Sequence, residues 1–123
     1  MMYQFTIPGR LPGLNEYITA CRTSPYKGAT LKANAERTVI AAARTQLRGL
    51  RIARPVTMEY AWIERDRRRD LDNVSSFGRK IIQDSLVQCG ILKNDGWKEI
   101  TGFSDAFAVD KKHPRIEVTI LEI

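Results

Sequence analysis

Val56-Thr57-Met58-Glu59-Tyr60-Ala61-Trp62-Ile63 and, beyond a charged run at 64–70, Asn73-Val74-Ser75-Ser76-Phe77-Gly78-Arg79-Lys80-Ile81-Ile82-Gln83-Asp84-Ser85-Leu86-Val87-Gln88 decide the class of fold. The first stretch is rich in branched and aromatic residues after Pro55 and reads as a strand. The second places Val74, Phe77, Ile81, Ile82, Ser85 and Cys89 on one side at helical spacing and stops at Gly90, so it reads as a helix over 73–88. Upstream, residues 3–8 alternate aromatic and polar and break at Pro8-Gly9 and again at Pro12-Gly13, which predicts a strand and then a loop to about residue 28. Over 29–47, Leu31, Ala35, Val39, Ala42, Ala43 and Leu47 recur near a 3.6 period, an amphipathic helix with a basic outer face that ends before Gly49. Downstream, 91–97 reads as a connector, 100–109 and 115–123 as strands, and 110–114 as the turn between them. The expectation is a single α+β domain over 1–123, one mixed sheet covered by two helices, with strand order open.

The chain has 123 residues, 43% hydrophobic and 28% charged, ordinary figures for one globular domain. No apolar run approaches the ~20 residues that span a bilayer. Met1-Met2-Tyr3-Gln4-Phe5 lacks the blocks of a signal peptide, so a cytoplasmic location is expected. Cys21 and Cys89 stand far apart and His113 is the one histidine, which argues against zinc and against chemistry built on a His base with His ligands. Each cysteine is expected as a small buried apolar residue, and His113, before Pro114, as a solvated loop residue.

The formal net charge of +6 points to a polyanionic partner. Its distribution is uneven. Residues 1–62 hold nine Lys or Arg (Arg10, Arg22, Lys27, Lys32, Arg37, Arg44, Arg48, Arg51, Arg54) against three acids (Glu16, Glu36, Glu59), while the second half is balanced. Acids in that half therefore have work beyond neutralising the chain.

The chemistry-bearing stretch is Arg65-Asp66-Arg67-Arg68-Arg69-Asp70-Leu71-Asp72-Asn73. On an extended backbone Asp70 and Asp72 point to one side and Leu71 turns into the core. Such a pair suits Mg²⁺, which takes hard carboxylate oxygens and keeps positions open for water and phosphate. The plainer reading makes Asp72 a helix cap, pairs Asp70 with neighbouring arginines and leaves Arg67 to Arg69 solvated. A second acidic site, Asn94-Asp95-Gly96-Trp97, joins the first only if the connector folds back beside the helix. Asp84, one turn after Lys80, reads first as its i,i+4 ion-pair partner. Trp97 reads as a core or lid residue before a base-stacking one.

The ordered set Arg69-Asp70-Leu71-Asp72-Asn73, then Lys80, Asp84 and Leu86, then Gly90 and Asn94-Asp95 resembles the RusA family of Holliday-junction resolvases. The family pattern is a DxDN, a helix bearing a lysine and an aspartate, and a loop with one or two aspartates. The resemblance covers about residues 60–105 closely and the rest in general layout. It implies a RusA-like fold and a Mg²⁺-dependent endodeoxyribonuclease, Mn²⁺ substituting, that resolves four-way or related branched DNA by paired phosphodiester hydrolysis. Asp70, Asp72 and Asp95 would be the catalytic metal ligands and Lys80 the group that assists cleavage. Arg65, Arg67, Arg68 and Arg69, with Arg79, Lys93 and Lys98, are the expected DNA contacts. Two symmetric cuts by so small a chain imply a homodimer, acting in recombination or repair in a bacterium, phage or prophage.

Two departures stand out. The loop has Asn94-Asp95 where a paired Asp-Asp is frequent, leaving Asp95 as its ligand. The segment from Asn73 to Lys80 is about one helical turn longer than in the family pattern. If the helix starts near Ser76, Lys80 lies in its first turn and reaches the scissile phosphate; if it runs unbroken from Asn73, Lys80 is displaced by about 5.4 Å. The first is the favoured expectation. Outside nuclease chemistry, the same residues fit a basic DNA-binding module without catalysis, or, less well given the positive charge, a phosphohydrolase of small nucleotides.

Overall fold

The computed structural model describes all residues, 1–123. Along the chain come β1 (Met2–Pro8), α1 (Leu14–Thr23), α2 (Pro25–Gln46), β2 (Val56–Glu64), α3 (Leu71–Gln88), β3 (Ile100–Val109) and β4 (Arg115–Glu122). The strands form one sheet in the order β1-β4-β2-β3, in which β4 is antiparallel to both β1 and β2, and β3 runs parallel to β2. A parallel neighbour needs a crossover, and α3 supplies it. This is the expected single α+β domain, its mixed sheet covered by α2 and α3, with a third helix, α1, packed on those two.

Strand alternation puts three rows of side chains on the helix-covered face: Tyr3-Ile120-Met58-Phe103, Phe5-Val118-Tyr60-Asp105 and Ile7-Ile116-Trp62-Phe107. In each row the β4 and β2 members are buried, whereas Phe103 on β3 is 52% exposed and Phe107 36%. The core is thus centred on β4 and β2 and runs out at β3. Against it pack Ala35, Val39 and Ala43 of α2 and Val74, Phe77, Ile81, Ile82 and Leu86 of α3. The opposite face carries Gln4, Thr6, Glu59, Ser104 and Glu117 and no helix.

The two sheet edges differ. On β1, the Gln46 side chain accepts from the Thr6 amide (2.8 Å) and donates to its carbonyl (2.7 Å), and Pro8 has no donor. On β3 no strand or side-chain amide covers the outer edge. An uncovered edge is a template for a further strand.

The extra helix is a correction. Residues 14–23 were expected in a loop, yet α1 forms there, and α2 begins at Pro25 rather than residue 29. Two local devices start α2: Ser24 Oγ accepts from Lys27 N (3.1 Å), and proline occupies the first turn. The start of α1 is supplied from elsewhere, Asn73 Oδ1 of α3 accepting from Asn15 N (2.8 Å). Tyr17 then stacks on Phe77 with ring centroids 4.2 Å apart. The cysteines also differ from expectation, Cys21 being exposed and Cys89 half-buried, both unpaired. No helix is long and apolar enough to cross a membrane.

α3 approaches β2 at Gly78, where a Cβ would lie 2.8 Å from the Trp62 ring, itself fully buried. Overpacking of this kind costs about 1 to 3 kcal/mol. Gly78→Val is expected to lower the unfolding free energy by about 3 kcal/mol in urea titration; an unchanged midpoint would show that α3 lifts off β2 freely.

Candidate metal and nucleic-acid site

The site grows from the turn joining β2 to α3. Arg69 is 11% exposed at its side chain and makes a two-pronged contact with Glu64, Nε to Oε1 and Nη2 to Oε2, both 2.9 Å. Its Nη1 donates to the Leu11 carbonyl (3.1 Å) and stands 3.5 Å from Glu16 Oε1. Expected on DNA, Arg69 is a structural residue whose donors are already engaged. Arg79 departs likewise, its Nη1 2.7 Å from Asp105 Oδ2 and its guanidinium 4.4 Å over the Phe103 ring. Asp105 also accepts from Trp62 Nε1 (2.8 Å). Nothing local in the sequence announced Asp105, because both partners are distant in the chain.

Asp70 is the N-cap residue of α3, extended at φ −62 and ψ 152, and its carbonyl accepts the first helical bond, from Val74 N at 3.0 Å. Its carboxylate caps nothing. Asp72 lies in the first helical turn, and neither carboxylate has an ion-pair or hydrogen-bond partner. The extended Asp70-Leu71-Asp72 arrangement is not found: Leu71 is already helical and 58% exposed rather than turned into the core. The next residue, Asn73, is spent on capping α1.

A groove of about 390 Å³ opens beside Asp70, lined by Glu64, Asp66, Arg67, Leu71, Phe107 and Val109 among others. Of its acids, Glu64 belongs to Arg69, and Asp66 lies 3.7 Å from both Arg65 and Arg68 while accepting from Arg68 N (3.0 Å). Asp70 remains free. Arg67 lines the groove, and Arg65, Arg67 and Arg68 are all exposed.

α3 runs unbroken from Leu71 to Gln88, so the start near Ser76 is overturned. Ser75 and Ser76 instead return their hydroxyls to the carbonyls of Leu71 and Asp72 inside the helix. Lys80 therefore stands eight residues beyond Asp72, about 12 Å along the axis. It pairs with Asp84 (3.0 Å) and lies 3.8 Å from Asp95. The hydrogen bond to Asp84 chiefly, with the charges of Asp84 and Asp95, raises its pKa above the ordinary lysine value. Asp84 also binds Lys32 (3.3 Å).

Gly90, at φ +81, ends α3 and turns the connector back along it. The return reaches the level of Lys80 and brings Asp95 there, not to Asp70 and Asp72. No three His, Cys, Asp or Glu side chains of one chain stand together as a metal-holding group. Lys93 and Lys98 are exposed and unpaired. Trp97, expected in the core or as a lid, is 97% exposed beside Asp95.

A scan against protein-family models finds no match, and no curated protein matches the chain by sequence.

Removing Arg69 strands Glu64, 13% exposed, without its partner, a change that costs about 3 kcal/mol or more. Arg69→Ala should destabilise by that amount in denaturant unfolding, whereas Arg68→Ala should stay within about 0.5 kcal/mol of the parent. Equal effects would remove the structural role given to Arg69.

Proposed function

We propose that the protein is a Mg²⁺-dependent endodeoxyribonuclease that resolves Holliday junctions or related branched DNA, working as a cytoplasmic homodimer in recombination or repair. The observation that carries this reading is the pair of unpartnered carboxylates, Asp70 and Asp72, at the start of α3 beside exposed Arg65, Arg67 and Arg68. Mg²⁺ needs only one or two carboxylates when water and substrate phosphates complete its shell, and this pair meets that need. Mn²⁺, with similar ligand preference, would substitute. The bound cation would activate water and neutralise charge at the phosphate. The arginines hold the flanking phosphates, and Lys80 stays protonated as a fixed positive charge for the cleaved strand.

Asp95 joins this site through the dimer. Two copies paired antiparallel through the open edge of β3 place the start of one β3 beside the end of the other. The start carries Asp95, Glu99 and Trp97; the end carries Asp70, Asp72, Arg67, Lys111 and Lys112. Charges of both signs then face each other, the carboxylates of Asp70, Asp72 and the partner's Asp95 being held together by the shared cation, and Phe103 and Phe107 gain cover. Each site would combine Asp70 and Asp72 with Asp95 of the partner subunit, giving the two symmetric cuts that a four-way junction requires.

Asp70→Asn, Asp72→Asn and Asp95→Asn should each abolish Mg²⁺-dependent cutting of a synthetic four-way junction while binding survives. Mixing Asp72→Asn with Asp95→Asn chains should restore nicking on one strand but not paired cuts, because a mixed dimer holds one intact site. Failure of the mixture with a dead pair of parents would place all three acids in one chain. Junction binding with no metal-dependent cutting by the parent would leave a basic DNA-binding module.

A further inference from the structure

α2 presents Arg37, Ala41 and Arg44 at intervals of four and three residues, which is one face of a helix, and Arg48 follows in the turn just past its end. All four are exposed. No ion pair in the molecule involves these arginines; Arg37 touches only the side-chain oxygen of Asn34. The nearest acid on the helix, Glu36, is engaged by the Gln88 amide at 2.8 Å. These arginines are three of the nine basic residues of 1–62.

The row borders a groove of about 520 Å³ between α2 and the end of α3, lined by Arg37, Ile40, Ala41, Arg44 and Gln88. At the far end Arg51 donates to the Gly90 carbonyl (2.9 Å). The small side chain of Ala41 leaves the space between Arg37 and Arg44 open. Gln88 also lines the adjoining depression that holds Lys32, Glu36, Asp84 and Asp95. The two hollows thus lie on either side of Gln88, one with Asp95 and the other with the arginine row.

We propose that this groove is a second phosphate-backbone site, which binds a duplex arm of nucleic acid leading away from the Asp95 and Lys80 region. From Arg37 to Arg44 the helix rises about 10 Å, the run of about three phosphates on one strand, and Arg48 stands in the turn beyond. A lipid surface fits less well, since the face between the arginines offers Ala41, Thr45 and a half-buried Ile40, and no aromatic side chain to enter a bilayer. That the duplex is an arm of the DNA being cut rests on the function proposed above; the groove's affinity for a phosphate backbone does not.

The test is the triple variant Arg37→Gln, Arg44→Gln, Arg48→Gln, which keeps good helix formers and touches none of Asp70, Asp72, Lys80 or Asp95. Binding of a labelled duplex and a labelled four-way junction is measured by anisotropy in EDTA from 50 to 300 mM salt, with circular dichroism melting in parallel. The expected result is a slope of log K against log salt shallower by about 0.9 per arginine, with a melting temperature no lower than the parent's. A parental slope in a folded variant overturns the proposal, as does a parent that binds no DNA. Loss of binding to anionic vesicles with DNA binding unchanged overturns it in favour of a membrane. Because the readout is metal-free binding, a parent that binds through this row yet never cuts would sink the nuclease reading and leave the groove standing.

Discussion

The turn from β2 into α3 depends on one guanidinium. Arg69 takes both oxygens of Glu64 at the end of β2, the Leu11 carbonyl in the loop after β1, and the vicinity of Glu16 on α1. A planar fork that is always charged can serve several directions at once, which a lysine cannot. Burying it is costly, and the two-pronged carboxylate offsets that cost. With four segments converging on Arg69, the chain enters α3 in a set direction. Asp70 and Asp72 follow with no protein group left to pair with them.

Most of the fold could be read from side-chain periodicity. All four strands and the bodies of α2 and α3 lie close to where alternation and helical spacing place them; all but β3 bury an apolar face, and β3 keeps the alternation with its apolar residues partly exposed. α1 was not legible, having no buried residue of its own and taking its first-turn cap from Asn73, distant in sequence. The start of α2 was hidden differently: Pro25 and Gly28 resemble a turn, although Ser24-Pro25 is also a helix start. The acids of the candidate site were visible as residue types, but their placement was not. An Asp-x-Asp reads as one-sided only on an extended backbone, and here the helix begins between the two. Arg69 and Arg79 looked like surface charge because their partners, Glu64, Glu16 and Asp105, are recognisable only once the sheet is assembled.

α3 acts as a spacer. Its 18 residues extend about 27 Å, with the free carboxylates at one end and the Lys80, Asp84 and Asp95 cluster part-way along. The ion pairs of Lys80 and Lys32 with Asp84 hold that cluster against α2. The helix thus keeps apart groups that a one-chain site would need together, and gives any partner copy a fixed distance to match.

The unequal treatment of the two sheet edges bears on assembly. Gln46 occupies the hydrogen-bonding positions of Thr6, and Pro8 offers none, so β1 is poorly suited to receive another strand. β3 has no such cover. A sheet that can be extended from one side only cannot polymerise: when two copies meet through β3, both outer borders of the joined sheet are β1, and growth terminates. Joined in that way, an edge that is ordinarily a route to fibrils would stop at two copies.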